Sequence, residues 1–343
     1  MKFLKYLIFI ILIVVIGLAI YVGVQPNSYE VERSRTIEAP AAVLYDNVID
    51  YRNWEAWSSW VEKDPDLIVK YPEQTRGVGG HYSWEDKDGA GTMKTISTEL
   101  NKSINQEMQF DDFEPSQVNW TFEPTEDGKT KVNWKMSGDK VPFMFKAFSV
   151  ISGGFDNMIG PDFERGLEKL DSLIVLDMQK YLVEIEGIRE YGGGFYLYVS
   201  SNADDSNIAM KMAENFGEVM RFAKANGVQT IGMPLTVYHE MNNEAGTVIM
   251  SNGIHVSENI PTPAGSNVLC GYIPKTKVLK SELFGNYTNL QHAWGQTMQH
   301  MVENQIQPSD IKPFEIYVND PGLVPNPKNW RTALFIPVKD DSE

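Results

Sequence analysis

Residues 312–321 read Lys-Pro-Phe-Glu-Ile-Tyr-Val-Asn-Asp-Pro, a short β-prone run with one carboxylate at its centre. Side chains alternate between the two faces of a strand, so this run predicts Phe314 and Ile316 on one face and Glu315 and Tyr317 on the other. A carboxylate among aromatic side chains is costly to bury unless a partner compensates it. A cationic, partly apolar ligand is one such partner, and an edge strand with a solvated glutamate is the alternative.

A second, altered copy of this stretch lies earlier in the chain. The match pairs two segments of each copy, with one residue inserted between them: residues 226–229 with 304–307, and residues 234–238 with 313–317. Each copy follows an amphipathic helix and leads into another strand, which indicates an internal repeat. Thr236 in the first copy occupies the position of Glu315 in the second. A scaffold present twice but charged only once predicts an asymmetric site between the halves.

The helix before each copy carries apolar residues at the i, i+3, i+4 spacing of an amphipathic helix. The first predicted face comprises Ile208, Met212, Phe216, Val219, Met220 and Ala223, and the second comprises Leu290, Ala293, Trp294, Thr297, Met298, Met301 and Val302. We expect both faces to pack against the sheet that the strands form.

The region from about Tyr181 to Val338 resembles the GyrI-like domain, also known as the AraC-type effector-binding domain. The motifs that carry the resemblance are Phe284-Gly285-Asn286-Tyr287 leading into the helix with Trp294, residues 314–321, and Arg331-Thr332 before Ile336-Pro337-Val338. The resemblance implies two pseudo-symmetric βαββ halves around a ligand pocket. Regulators of this family also carry a helix-turn-helix, which this chain lacks, so a role as a transcription factor is not expected.

The same resemblance implies roles for particular residues. Glu315 would lie at the pocket floor and receive cationic lipophilic compounds, while Tyr287, Trp294 and Tyr317 would form the walls. Tyr238, which occupies the position of Tyr317 in the first copy, completes the predicted ligand-binding set. Some relatives hydrolyse electrophilic small molecules with the same glutamate and an aromatic partner, so the alternative function is a hydrolase with Glu315 as general base.

The N-terminus carries an uncharged apolar run from Tyr6 to Val24, which is long enough to cross the hydrocarbon core of a bilayer. Lys2 and Lys5 precede the run, and Glu30 is the first charged residue after it. The positive-inside rule then predicts a single-pass anchor with a cytoplasmic N-terminus and an extracytoplasmic body. A cleaved signal peptide is the alternative, although its apolar core is usually shorter and no A-x-A cleavage pattern follows the run.

The composition limits the partners. The 343 residues carry a net charge of −16, which argues against nucleic-acid binding because a nucleic-acid-binding surface is basic. The five histidines show no metal-ligand spacing and Cys270 is the only cysteine, so neither a metal site, nor a cofactor, nor an intrachain disulfide is predicted. The expected partners are a lipophilic or cationic small molecule and, through the N-terminal helix, the membrane.

Residues 29–177 predict an α+β domain. A strand opens at Ser34, a helix begins near Ala39, and later strands pair through turns at Asp88-Gly89 and Asp127-Gly128. The predicted closing helix runs from about Pro161 to Asp177 and has four apolar residues on one face, namely Phe163, Leu167, Leu170 and Ile174.

This segment resembles the polyketide-cyclase branch of the START-like, or SRPBCC, superfamily. The matching residues lie at 37–45, 50–54 with Trp57, Trp84 with 89–91, 128–134 and 163–167. The resemblance implies a helix-grip fold, in which a curved antiparallel sheet wraps the long C-terminal helix and encloses an apolar cavity, without a shared catalytic set. Trp54, Trp57 and Trp60 are interpreted as core and rim packing rather than as ligand-stacking residues.

The sequence therefore predicts an α+β protein in three parts: a transmembrane anchor at 1–28, a START-like domain at 29–177 and a GyrI-like domain at 180–343. The predicted function is a membrane-anchored two-domain protein that binds lipophilic or cationic small molecules. The hydrolase and an envelope interaction protein without a ligand remain the alternatives.

Overall fold

The computed structural model describes residues 2–86, 89–242 and 245–339. The chain divides between Asp177 and Met178 into two compact units. Each unit contains one antiparallel sheet with helices packed on it, which confirms the α+β class.

The first helix, α1 (Lys2–Gly23), contains an apolar stretch at Phe3–Gly23. In the described part of the chain it is the one helix that is long and apolar enough to cross a membrane. Its 21 residues span about 32 Å, close to the thickness of a bilayer's hydrocarbon core. A membrane span and a signal sequence both satisfy these criteria, so the cytoplasmic N-terminus and extracytoplasmic body remain predictions.

The remainder of the first unit is a seven-stranded antiparallel sheet in the order β1-β7-β6-β5-β4-β3-β2. The strands are β1 (Tyr29–Ile37), β2 (Ile68–Lys70), β3 (His81–Asp86), β4 (Gly89–Glu99), β5 (Ser103–Phe110), β6 (Ser116–Pro124) and β7 (Thr130–Gly138). The helices are α2 (Ala41–Val48), α3 (Ser59–Lys63), α4 (Phe143–Ser152) and α5 (Phe155–Met178). The turn predicted at Asp127-Gly128 joins β6 to β7, and Gly128 has the positive φ of 79° that such a turn requires. Asp88 of the other predicted turn lies outside the described residues.

Stacked aromatic rings join the sheet of the first unit to α5. Trp120 and Trp134 are opposite each other on β6 and β7 with ring centroids 4.4 Å apart, and Trp134 stacks on Phe163 of α5 at 4.0 Å. Trp54 and Trp57 are buried beside them, whereas Trp60 is partly exposed and meets Trp134 edge-on. The predicted core and rim packing of the three tryptophans is confirmed.

Helix α5 begins at Phe155, six residues before the predicted start at Pro161. Proline commonly marks the first turn of a helix, but here it lies inside one. The earlier start has a tertiary cause, since Phe155 stacks on Tyr29 of β1 at 4.5 Å. The four residues predicted on the inner face of this helix are all buried.

The second unit is an eight-stranded antiparallel sheet in the order β12-β9-β11-β10-β14-β15-β13-β8. Its strands are β8 (Leu182–Tyr191), β9 (Gly194–Asp204), β10 (Thr230–Asn242), β11 (Thr247–Val256), β12 (Leu269–Ile273), β13 (Thr276–Phe284), β14 (Phe314–Tyr317) and β15 (Arg331–Pro337). Its helices are α6 (Ile208–Ala225) and α7 (Leu290–Glu303).

The predicted duplication is visible in the strand order. The halves β9-α6-β10-β11 and β13-α7-β14-β15 are related by a pseudo-twofold axis between β10 and β14, because β9-β11-β10 is followed by β14-β15-β13. Strands β12 and β8 extend the two edges and lie outside the repeat. The buried stripe of each helix is narrower than the sequence predicts, since Met220, Met298 and Val302 are exposed. In α6 the buried stripe instead includes Asn215.

Candidate functional site

Strand β14 places Glu315 in the middle of the second unit. Phe314 packs in an apolar cluster on one face of the sheet, and Ile316 packs partly buried against it. Glu315 and Tyr317 face the other side, as the alternation predicts. Glu315 is 0% exposed and pairs across the pseudo-twofold axis with Thr236, its counterpart in the first repeat. The site is thus asymmetric at its centre, with a hydroxyl facing a carboxylate.

Both carboxylate oxygens of Glu315 accept hydrogen bonds from neutral donors. The indole Nε1 of Trp294 donates to Oε1 at 2.5 Å, and the hydroxyl of Tyr317 donates to Oε2 at 3.1 Å. Trp294 reaches the carboxylate from α7, while Tyr317 lies two residues further along the same strand. Hydrogen bonds to an ionised acceptor are stronger than neutral ones, so these contacts offset part of the cost of burying the charge.

A chain of polar side chains leads from the first repeat to this carboxylate. Because the Tyr317 proton is directed to Glu315, Thr236 Oγ1 donates to the Tyr317 oxygen, 2.9 Å away. Asn252 Nδ2 donates to Thr236 Oγ1 at 2.9 Å, and Asn215 Nδ2 donates to Asn252 Oδ1 at 2.7 Å. Each donor in the chain is directed towards Glu315, which strengthens the final hydrogen bond through polarisation.

Asn215 and Asn252 were not among the residues predicted to form the site. Both are buried amides, one on α6 and one on β11. A signal was present in the spacing: Asn215 lies three residues after Met212 and four before Val219 on α6, and Asn252 lies two residues from both Met250 and Ile254 on β11. Buried polar groups need partners, so two such residues in neighbouring elements indicate a network.

An aromatic shell surrounds the carboxylate and follows the repeat. Trp294 meets Tyr238 edge-on with ring centroids 5.7 Å apart, and Phe216, the counterpart of Trp294 in α6, meets Tyr317 edge-on at 5.9 Å. Tyr287 contacts Tyr317 at 5.5 Å. All five predicted site residues therefore lie together, four of them buried, with the half-buried Tyr287 at the edge of the cluster. Their role in ligand binding remains a prediction.

Burial raises the pKa of Glu315 to about 6, against the opposing effect of hydrogen bonds from Trp294, Tyr317 and Tyr238. Burial and the nearby Glu315 carboxylate hold the pKa of the Tyr238 and Tyr317 hydroxyls well above 10, so both stay neutral. Burial raises the pKa of Tyr287 to about 12, with smaller contributions from the negative charges of Asp320 and Glu315.

Other parts of the described chain offer less chemistry. No group of three His, Cys, Asp or Glu side chains within residues 2–86, 89–242 and 245–339 could hold a metal ion. A cleft of about 360 Å³ lies in the first unit, with Lys70, Trp84, Glu85 and Asp111 among its lining residues. This cleft has no residue in common with the Glu315 site.

Two family models match the chain. Residues 28–174 match the family described as polyketide cyclase / dehydrase and lipid transport, and residues 196–339 match the GyrI-like small molecule binding domain. The chain combines these two domain types. The GyrI-like match includes α6, α7 and strand β14 with Glu315, and it begins after β8. No curated protein matches the chain.

Solved structures similar to the chain include the C-terminal domain of EcmrR, at 17% identity over 47% of this chain and 98% of that one, with a TM-score of 0.41. A complex of EcmrR with DNA shares 16% identity over 58% of this chain and 72% of that one, also with a TM-score of 0.41. Protein CV1439 from Chromobacterium violaceum shares 17% identity over 43% and 97% of the two chains, with a TM-score of 0.32.

Proposed function

We propose that the protein is a membrane-anchored receptor for lipophilic cations and that Glu315 supplies the counter-charge. The observation that carries this proposal is a wholly buried carboxylate whose hydrogen-bond partners are neutral donors. An ionised carboxylate in such a place is unfavourable without an opposite charge. A bound cation would supply that charge, while the aromatic shell would supply apolar area and cation–π contacts.

The surroundings of Tyr287 support access for a cation from this side. Tyr287 is half-buried, stands between Tyr317 and the ring of Trp330, and is close enough to Asp320 for that carboxylate to influence it. Asp320 is exposed, so negative charge lies at the outer edge of the cluster as well as at its centre. A displacement of Tyr287 would open a path to Glu315 with a carboxylate at its outer edge and another at its inner end.

The test compares a cation with a neutral molecule of the same shape. Benzyltrimethylammonium and neopentylbenzene differ in having nitrogen or carbon at one position, so their affinities differ through charge. Glu315→Gln removes the counter-charge and keeps the shape of the side chain. A charge-assisted contact is worth about 1.5–3 kcal/mol, so the affinity for the cation should fall about tenfold to a hundredfold. Affinity for the neutral molecule should hardly change.

Two further variants complete the titration. Trp294→Ala should weaken binding of both molecules equally, because it removes apolar area rather than charge. Glu303→Gln makes the same change in net charge at an exposed position of α7 and should leave both affinities unchanged. Equal losses for cation and neutral molecule in Glu315→Gln, or no binding of the cation by the unmodified protein, would contradict the proposal.

A hydrolase is the second candidate, and the pKa of about 6 at Glu315 favours it, because a general base works best with a pKa near the working pH. Tyr317 and Trp294 would then hold the carboxylate in place beside an electrophilic substrate. The two functions separate in one variant: a hydrolase loses turnover in Glu315→Gln and keeps substrate binding, whereas a receptor loses binding of the cation.

A further inference from the structure

Helix α4 of the first unit exposes an unusually apolar face. Phe143, Met144, Phe148 and Ile151 are 50%, 59%, 56% and 82% exposed, and none of them has a charged neighbour on this side of the helix. Together with Ala147 they occupy about 140° of the helix circumference at 3.6 residues per turn. An uncharged apolar face of this size is typical of a surface that meets a lipid or a partner.

The opposite side of α4 is fixed to the protein. Lys146 and Ser149 are buried on that side, and Phe145 meets Phe110 and Phe113 edge-on at 6.0 and 5.1 Å. The helix is therefore held in place while its apolar face is directed outwards. This arrangement differs from a loose segment that could fold back to hide its apolar residues.

Helix α4 is also attached to the end of α1. Lys146 Nζ donates to the carbonyl oxygen of Gln25 at 2.9 Å and to Oδ1 of Asn27 at 2.5 Å, and Val141 N donates to the carbonyl of Asn27 at 2.9 Å. Helices α1 and α4 are in contact, and Val22 near the end of α1 is buried. The first residues after the apolar span are thus bound directly to α4.

We propose that α4 lies in the interface of the membrane that α1 spans, with its apolar face among the acyl chains just below the headgroups. The lipid is favoured over a protein partner by continuity, because α4 contacts the end of a helix whose apolar surface is itself exposed along Phe3–Gly23. If α1 spans the bilayer, its end at Gly23 lies at the membrane surface. Lys146 of α4 binds the carbonyl oxygen of Gln25, which is only two residues beyond Gly23. The first unit would then rest on the bilayer through two adjacent contacts.

The test uses full-length protein in phosphatidylcholine nanodiscs, with Cys270→Ala so that single cysteines can be introduced and labelled with an environment-sensitive fluorophore. Labels at Phe148→Cys and Ile151→Cys should show blue-shifted emission and strong quenching when the lipids carry bromine on their acyl chains. A label at Val78→Cys, which is 58% exposed in a loop of the same unit, should show neither. A label at Ile11→Cys in the middle of α1 should be quenched and reports whether the anchor is inserted.

A charged variant tests whether the apolar face itself causes the insertion. In Phe148→Glu with Ile151→Glu, quenching of a label at Met144→Cys should be lost while quenching in α1 persists and the circular dichroism spectrum is unchanged. Quenching at Ile11 without quenching at 148 and 151 would overturn the proposal. If quenching at Ile11 without quenching at 148 and 151 were accompanied by a doubled particle mass in detergent, the apolar face would be assigned to contact with a second copy of the chain. An unquenched Ile11 label would also overturn the proposal, because α1 would then not be inserted in the membrane.

Discussion

Replacing Glu315 by Gln should stabilise the second unit at neutral pH, even though it removes the residue proposed to bind ligand. The carboxylate is fully buried among neutral donors, and burial raises its pKa from the ordinary 4.5 to about 6. The folded protein therefore holds the proton more tightly than the unfolded chain does. As the pH rises through this range, ionisation of Glu315 lowers the free energy of unfolding.

The size of the effect follows from the pKa. One pKa unit is worth about 1.4 kcal/mol, so a difference of about 1.5 units corresponds to roughly 2 kcal/mol at pH values above the folded pKa. For a unit of this size, that free energy corresponds to an increase in melting temperature of about 4–8 °C. Glutamine keeps an oxygen that accepts from Trp294, and its amide can donate to the Tyr317 oxygen, whose proton can then be directed to Thr236.

The assay is differential scanning calorimetry of detergent-solubilised full-length protein, which can resolve separate transitions for the two units. The melting temperature of Glu315→Gln should exceed that of the unmodified protein at about pH 8, and the difference should become small at about pH 4, where the glutamate is mostly protonated in both states. Only the transition of the second unit should move.

Glu282→Gln is the matched control, because Glu282 is also a buried glutamate of the second unit but is paired with Arg331 at 2.6 Å. Removing that carboxylate takes away the ion pair of a partly exposed arginine, so this variant should be destabilised by about 0.2–1 kcal/mol at neutral pH. The reasoning would be refuted if Glu315→Gln melted below the unmodified protein at about pH 8, or if the difference between their melting temperatures did not change with pH. In either case the buried charge would not be the unfavourable group.

Two predictions concern the organisation of the chain. If α1 is an uncleaved anchor with the predicted orientation, the protein should stay with the membrane after an alkaline wash, and protease added outside spheroplasts should digest the body; protection of the body, or a mature N-terminus near Gln25, would contradict this topology. Fragments 29–177 and 180–343 should each give a folded circular dichroism spectrum, whereas a cut within α5 should unfold the first fragment because Leu170 and Ile174 lie in its core. Unfolded spectra from both intact fragments would show that the proposed boundary is wrong.

Much of the second unit could be predicted because a repeat carries information about pairing as well as about single elements. The two copies placed Thr236 and Glu315 at equivalent positions, and the structure pairs them across the pseudo-twofold axis. The alternation along β14 likewise predicted that Glu315 and Tyr317 share a face. Alternation and helical spacing depend on backbone geometry alone, so they can be read without knowing what lies next to each segment.

The limits of helices and their buried stripes were less predictable. The start of α5 depends on the contact between Phe155 and Tyr29, which are far apart in the sequence. The exposure of Met220 and Val302 depends on how much of each helix the sheet covers. Periodicity indicates which residues share a side of a helix, but the width of the buried stripe is decided by the neighbouring element.

By itself, the sequence determined the apolar N-terminal helix, the α+β class, the duplicated second unit and the identity of the charged residue at its centre. Each of these follows from local spacing, composition or internal similarity. Only the tertiary structure decided that Glu315 is completely buried and that a chain of hydrogen bonds runs towards it from Asn215 through Asn252. It also decided that α4 contacts α1 while its apolar face is exposed. These features depend on contacts between residues distant in the chain, and burial is set by the whole of a residue's surroundings rather than by its own segment.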